Sequence, residues 1–109
     1  MEKPLSKLKQ IAEKLNVPYD MDRYEGPAEE FAVYAMTNID GDNFADDRAQ
    51  EHIATVRFDY IQPYNKPYQD KIFEILDLIV DAGFEESRVS VVIDSEKYRI
   101  LQFTTEIIL

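Results

Sequence analysis

The chain has 109 residues, of which 22 are acidic and 12 are basic, giving a formal net charge of −10. Nucleic acids and anionic membranes attract cationic surfaces, so we expect a surface this acidic to be repelled by both. The absence of cysteine excludes disulfides, thiolate metal sites and a cysteine nucleophile. No apolar run approaches the roughly 20 residues that span a bilayer, and the N-terminus lacks the apolar core of a signal peptide. We therefore expect a soluble intracellular protein.

The N-terminal segment predicts an amphipathic helix from Lys3 to Asn16, because apolar residues recur there with the period of a helix. Residues 17–30 predict a loop, since Pro18 stops the helix and Gly26-Pro27 indicates a turn. The apolar face of the predicted helix comprises Leu5, Leu8, Ile11, Ala12 and Leu15.

Four runs rich in apolar, β-branched and aromatic residues predict strands. Residues 95–97 between the last two suit a short hairpin turn. The four predicted strands are Phe31–Thr37, Glu51–Ile61, Arg88–Asp94 and Tyr98–Ile107.

The stretch Asn65–Gly83 predicts a second helix, which we expect to clamp the sheet. Asn65 is a candidate N-cap, Pro67 suits the first turn, and Gly83 suits a left-handed residue after the last turn. The predicted fold is a single α+β domain of residues 1–109, in the order α-β-β-α-β-β. Its sheet is expected to be four-stranded, antiparallel or mixed, with the helices packed on it. The apolar stripe comprises Tyr68, Ile72, Ile75, Leu76 and Ile79, with Phe73 and Val80 on its flanks.

The connection predicted at residues 38–50 is far longer than the two to five residues typical of a β-hairpin. Long connections of this kind are usually functional or disordered. Phe44 lies in its middle among acidic residues, and two interpretations are open: it folds back onto the core, or it is an exposed anchor for a partner. The acidic residues do not match an EF-hand, because Gly41 follows the first aspartate directly and the flanking runs are strand-like.

No residue pattern indicates a reaction centre. His52 is the only histidine and lies near the start of a predicted strand, and no nucleophile motif accompanies it. The three glycines Gly26, Gly41 and Gly83 form no phosphate-binding loop. We therefore expect no catalytic residues, no cofactor and no metal.

The chain end is apolar, and we expect it either to pair as a strand or to be covered by a partner. Together with the connection it supplies the candidate contact residues for self-association or partner binding. These candidates are Asp42, Asn43, Phe44, Asp46, Asp47, Ile107 and Ile108.

Several stretches resemble the small tail-terminator, or tail-completion, proteins of long-tailed bacteriophages and of prophages of Gram-positive bacteria. The resemblance runs through most of the chain, and its most specific pieces are G-D-N-F-A-D from Gly41 and S-E-K-Y-R-I-L-Q from Ser95. It also covers LNVPYDMDRYEGP, VRFDY, EILDLI and AGF. The link QPYNKPYQD departs from the family, which has a charged link before a D-P helix start.

The resemblance implies a non-enzymatic subunit of a ring, commonly a hexamer, that closes the head-proximal end of the tail tube. Its partners would be further copies of itself, the tail-tube protein and the head-tail connector, and it would be assembled in the bacterial cytoplasm into the virion. An acidic ring would also let DNA pass without binding it. An alternative consistent with the charge is an acidic DNA-mimic that inhibits a DNA-binding protein.

Overall fold

Two helices lie on one face of a five-stranded sheet in the computed structural model, which describes residues 3–45, 48–94 and 97–108. Side chains are described at positions 3–39, 52–93 and 97–108. In chain order the elements are α1 (Pro4–Leu15), β1 (Tyr19–Met21), β2 (Phe31–Ala45), β3 (Arg48–Pro63), α2 (Gln69–Asp81), β4 (Arg88–Asp94) and β5 (Tyr98–Ile108).

The sheet has the strand order β1-β2-β3-β5-β4. β1 is parallel to β2, and the other neighbours are antiparallel, so the sheet is mixed. The α+β class is confirmed, whereas the prediction of four strands is wrong because β1 lies in the segment expected to be a loop. β1 is only three residues long, so its sequence has no room for a strand-like alternation.

The first helix agrees with its prediction to within one residue at each end. Pro4 occupies the first turn, where its missing N–H costs no hydrogen bond. Asn16 ends the helix in the left-handed conformation, with φ of 58°. The buried side chains are Pro4, Leu8, Ile11, Ala12 and Leu15.

The second helix begins at Gln69, four residues after the predicted N-cap Asn65. The cause is the buried side chain of Gln62, whose Nε2 donates to the carbonyl oxygens of Lys66 and Pro67 at 3.0 and 3.3 Å. These hydrogen bonds hold the preceding turn outside the helix. The predicted role of Gly83 is confirmed, since it follows the helix with φ of 98°.

A lysine from the first helix ties the two helices together. The Nζ of Lys7 donates to the carbonyl oxygen of Ala82 at 2.8 Å, where a cation also complements the negative end of the α2 dipole. A Cβ at position 83 would lie only 3.2 Å from this Nζ. Glycine is therefore favoured there, because it avoids this close contact and adopts the positive φ without strain.

The core lies between the helices and the sheet. Alternate residues of each strand face the helices, and Val56, Phe58 and Tyr60 of β3 are at most 1% exposed. Ile75 and Ile79 of α2 are completely buried against this face. The remaining core side chains are Leu8, Ile11, Ala12, Leu15, Ala32, Tyr34, Ala54, Phe84, Leu101, Phe103 and Ile107.

Glu30 connects the segment before β2 to the turn before α2. It accepts hydrogen bonds from the Tyr60 hydroxyl and from the Lys66 ammonium. Partial burial acts to raise the pKa of Glu30, but these two hydrogen bonds and the charges of Lys66 and Lys71 together outweigh it and hold the pKa below its usual value. Burial and the neighbouring Glu30 carboxylate raise the pKa of Tyr60.

Strand backbone occupies most of the predicted connection at residues 38–50. β2 continues to Ala45 and β3 starts at Arg48, with Cα pairing as far as Ala45 opposite Arg48. The register shifts between Met36 and Asn38, which marks a β-bulge at the base of this hairpin. Sixteen residues of strand span about 50 Å, so the hairpin accounts for the longest of the dimensions 54 × 25 × 24 Å.

Ile79 and Val80 are adjacent on α2 but differ in burial, at 0% and 49% exposed. We expect Ile79→Ala to lower the free energy of unfolding by about 2–5 kcal/mol, because it leaves a cavity between α2 and the sheet. Val80→Ala should change it by less than about 0.5 kcal/mol. Urea unfolding of both variants tests this, and equal losses would contradict the assignment of the buried stripe.

Candidate assembly surfaces

The tip of the hairpin projects beyond the rest of the sheet. Among the described residues, the pairing of β5 with β3 ends at Ile53–Ile108, and residues 48–52 of β3 pair with β2 alone. On the other side, β1 covers β2 only as far as Tyr34. In the described part of the chain, the outer edge of β2 from residue 35 to 45 therefore has no partner strand.

The predicted contact residues of the hairpin lie within this tip. Phe44 pairs with Ala49 and Asp42 with Glu51 through the backbone. The side chains of Asp42, Asn43 and Phe44 lie outside the described side chains, and Asp46 and Asp47 lie outside the described residues. Which of the two interpretations of Phe44 holds therefore stays a prediction.

β4 forms the other edge of the sheet, and its outer edge has no partner among the described strands. Three consecutive apolar side chains on it are exposed: Val91 by 42%, Val92 by 41% and Ile93 by 57%. Val91 pairs with the buried Leu101 of β5, so Val91 and Ile93 lie on the helix side and Val92 on the opposite side. An apolar, unpaired edge is a template for a further strand.

One flank of α2 is also apolar and exposed. Lys71 lies 5.5 Å from the centre of the Tyr60 ring, so its side of the helix faces β3. Phe73 and Val80 lie on the other side of the helix, at 100° per residue, and are 64% and 49% exposed. The sequence analysis assigned both residues to the flanks of the apolar stripe, and their exposure agrees with that assignment.

The apolar C-terminus is a paired strand. Ile107 pairs with Ala54 and is 7% exposed, so it belongs to the core rather than to an accessible surface. Ile108 is 54% exposed and remains accessible for a contact. Its neighbour across the sheet is Ile53 of β3, at the point where the hairpin leaves the sheet.

The end of the sheet near the start of β5 is fixed by stacking. The guanidinium of Arg99 lies 4.1 Å from the ring centre of Tyr68 and 5.0 Å from that of Tyr64. Such cation–π contacts stabilise a planar guanidinium over aromatic faces. The backbone N–H of Tyr64 also donates to the carbonyl of Lys97 at 2.8 Å, which joins the turn after β3 to the start of β5.

A buried carboxylate, Asp59, lies on the sheet face opposite the helices. It is 9% exposed and forms an ion pair with the Nε of Arg57 at 3.2 Å. Its other oxygen, Oδ1, is buried without a hydrogen bond of normal geometry. Burial raises the pKa of Asp59, and the nearby Arg57 and Gln102 side chains offset only part of this.

The described surface depressions show no converging catalytic groups. One of about 460 Å³ is lined by acidic and threonine side chains with Arg88, and another of about 350 Å³ lies beside Tyr64 and Tyr98. Asp59 lines neither. His52 is exposed, and among the described residues no cluster of histidine or carboxylate side chains suits a metal.

No protein-family model matches the chain, and no curated protein matches it. Among the described residues, no helix is long and apolar enough to cross a membrane. Any assignment of function therefore depends on the surfaces described above and on the resemblance stated in the sequence analysis.

We expect Asp59→Asn to stabilise the protein at neutral pH. A carboxyl whose pKa is raised by folding binds its proton more tightly in the native state, so its contribution to stability is lost as the pH rises through that pKa. The variant should exceed the wild type in free energy of unfolding at pH 7. The difference should shrink as the pH falls through the raised native pKa and should be smallest below 3.8, the ordinary value for this group. Urea unfolding across this pH range is the measurement. The matching change at exposed Asp77 should shift stability by less than about 0.5 kcal/mol, and an equal gain there would contradict this reading.

Proposed function

We propose that this chain is a tail terminator of a long-tailed bacteriophage, a non-enzymatic subunit that assembles as a ring on the end of the tail tube. It would be assembled in the bacterial host cytoplasm and would remain in the virion, between the tube and the head-tail connector. The observation that carries this proposal is the hairpin of β2 and β3, which projects beyond the sheet with the sequence GDNFA in the last residues of β2.

A projecting two-stranded ribbon is a feature that a partner can stabilise. An isolated hairpin is at best marginally stable in water, and in the described structure the tip has no third strand beside it. Contact with a tube subunit or a neighbouring copy would bury part of it. The same region carries the most specific part of the family resemblance.

The positions of the free edges also support a ring. The outer edge of β2 and the outer edge of β4 lie on opposite sides of the sheet. A contact that joins two different surfaces of the same chain is heterologous, and heterologous contacts close into rings when their rotation permits. The net charge of −10 fits an opening through which DNA passes without adhering.

The charge also supports one competing function, an acidic mimic of DNA. A mimic would use carboxylates spread along an exposed face, and it would need no contact between copies. The two functions differ in their partner: the terminator binds the tube subunit of its own phage, and the mimic competes with DNA for a DNA-binding protein.

We expect the purified chain to bind the end of the tail tube. Sedimentation velocity over a concentration series, for the chain alone and mixed with tail-tube subunits, measures both self-association and tube binding. The proposal predicts a ring-sized species or a tube-bound species in the mixture. A chain that stays monomeric and does not bind the tube would overturn it, whereas a monomer in the absence of tube is consistent with assembly on a template.

Phe44→Ala is expected to weaken this assembly while the fold is retained. The physical reason is the loss of a large apolar contact at the hairpin tip, which in the anchor interpretation is buried only in the complex. Thermal unfolding and the same sedimentation experiment separate the two interpretations of Phe44. A loss of about 3–5 kcal/mol in the free energy of unfolding would show instead that Phe44 is a core residue.

A further inference from the structure

We propose that the chain binds a carboxylate in a pocket built around Arg99, next to the end of β3 that lies away from the hairpin tip. The pocket is a surface depression of about 410 Å³ lined by Arg99 and residues 64–69, and we call it the arginine pocket. The site is independent of the proposed function, because it shares no residue with the hairpin tip or with the end of β5.

The guanidinium of Arg99 is fixed in place but lacks a hydrogen-bond acceptor. Its centre lies 4.1 Å from the ring centre of Tyr68 and 5.0 Å from that of Tyr64, and these contacts use none of its N–H donors. The Nε atom is buried without a hydrogen-bond partner, and none of the described carboxylates forms an ion pair with Arg99. Buried donors are normally hydrogen-bonded, so this donor indicates a ligand that supplies the acceptor.

A buried glutamine gives the arginine pocket its shape. Gln62 lies opposite Arg99 in the pairing of β3 with β5 and is 1% exposed. Its Nε2 donates to the carbonyl oxygens of Lys66 and Pro67, which fixes the turn that carries both tyrosines. The pocket is therefore already formed in the single chain, and a ligand can bind with little rearrangement.

The donors of the pocket suit a planar anion. A guanidinium presents parallel N–H groups that match the two oxygens of a carboxylate. α2 begins at Gln69 in the wall of the pocket, and its N-cap residue Tyr68 makes no capping hydrogen bond through its side chain. The positive end of the helix dipole therefore adds to the attraction that Arg99 exerts on an anion.

The surrounding charges restrict the ligand to a single negative charge. Asp70 lies in the first turn of α2, and Glu29 lines the adjacent depression. Lys66, which lines the pocket, is already paired with Glu30. A phosphate carries more than one negative charge at neutral pH, and these carboxylates repel it more strongly than they repel a carboxylate. The pocket therefore favours a carboxylate.

Titration with sodium acetate tests the site on the unmodified chain. Acetate replaces chloride at constant ionic strength, so that screening stays the same. The Nε–H of Arg99 gives a side-chain signal in proton–nitrogen correlation NMR spectra, which is assigned by its loss in Arg99→Lys. We expect acetate to shift this signal in a saturable manner, since it supplies the acceptor that the buried Nε lacks. A signal that acetate does not shift would overturn the proposal, whatever the variants show.

Arg99→Lys keeps the positive charge and removes the planar fork. We expect it to weaken acetate binding about tenfold, measured from the backbone signals of residues 64–69. Arg88→Lys is the matched control, because Arg88 is an exposed arginine of β4 outside the pocket, and it should change the affinity about twofold at most. Equal losses in the two variants would show a general attraction to positive charge and would overturn the site.

Tyr64→Leu provides a test that does not alter the arginine. Tyr64 is 44% exposed, so its replacement should leave the fold intact, which thermal unfolding checks. The loss of one stacking ring should weaken acetate binding about threefold, and an unchanged affinity in the folded variant would contradict the geometry of the pocket.

Two further ligands define the chemical class and its source. Sodium phosphate at the same ionic strength is expected to bind more weakly than acetate, and tighter binding of phosphate would overturn the choice of a carboxylate. A blocked Gly-Asp-Gly peptide presents the same group on a polypeptide. Tighter binding of the peptide than of acetate would support the site and identify an acidic side chain of a protein as the source, whereas equal binding would support it with a free carboxylate.

Discussion

The structure depends on the limited length of sheet that its two helices can cover. The apolar faces of α1 and α2 cover one side of the sheet, and the side chains buried there include Ala32 of β2 and Phe103 of β5. Apolar burial of this kind supplies most of the stability of a small domain. β2 and β3 are longer than this cover, so the end of β2 and the start of β3 project as a two-stranded ribbon. A ribbon without a third strand or a helix gains little stability of its own. The domain therefore consists of a self-sufficient body and an extension whose free edges can be satisfied by other chains.

The body could be predicted from the sequence because its signals are local. The helical period of α1 and α2, the strand Arg88–Asp94 and the left-handed Gly83 depend on neighbouring residues, and all agree with the structure. The start of α2 could not be predicted, since Gln62 of a different element holds the turn that contains Asn65 and Pro67. A hydrogen bond from a buried side chain of another element leaves no local signal.

The extension was missed for a different physical reason. Hydrophobic alternation identifies a strand only when one face is buried. Residues 38–50 contain many acidic and amide residues, which is the composition of a loop, yet the backbone of residues 38–45 and 48–50 forms strand. β1 is too short for any pattern, and its pairing with β2 is decided by the position of the chain after α1. In both places tertiary pairing determines the conformation.

The candidate surfaces also differ in whether the sequence alone could identify them. The hairpin connection was identified from its length and from Phe44, whereas the exposed apolar edge of β4 follows from a strand order that the sequence does not give. Val91, Val92 and Ile93 are consecutive apolar residues, and the strand order places them at an edge of the sheet, where they are exposed. Phe73 and Val80 make the apolar surface of α2 wider than its buried stripe, and this excess width is visible in the sequence.

An exposed apolar edge of this kind normally promotes aggregation, and the charge of the chain limits that risk. Monomers of net charge −10 repel one another at distances up to about a Debye length. Non-specific edge-to-edge contact must overcome this repulsion with little burial. A specific contact must bury enough apolar surface to exceed this repulsion, and the exposed Val91, Val92 and Ile93 of β4 can supply part of that burial. The same acidity that keeps free subunits apart therefore favours contacts that bury extensive surface over chance pairing of the free edges.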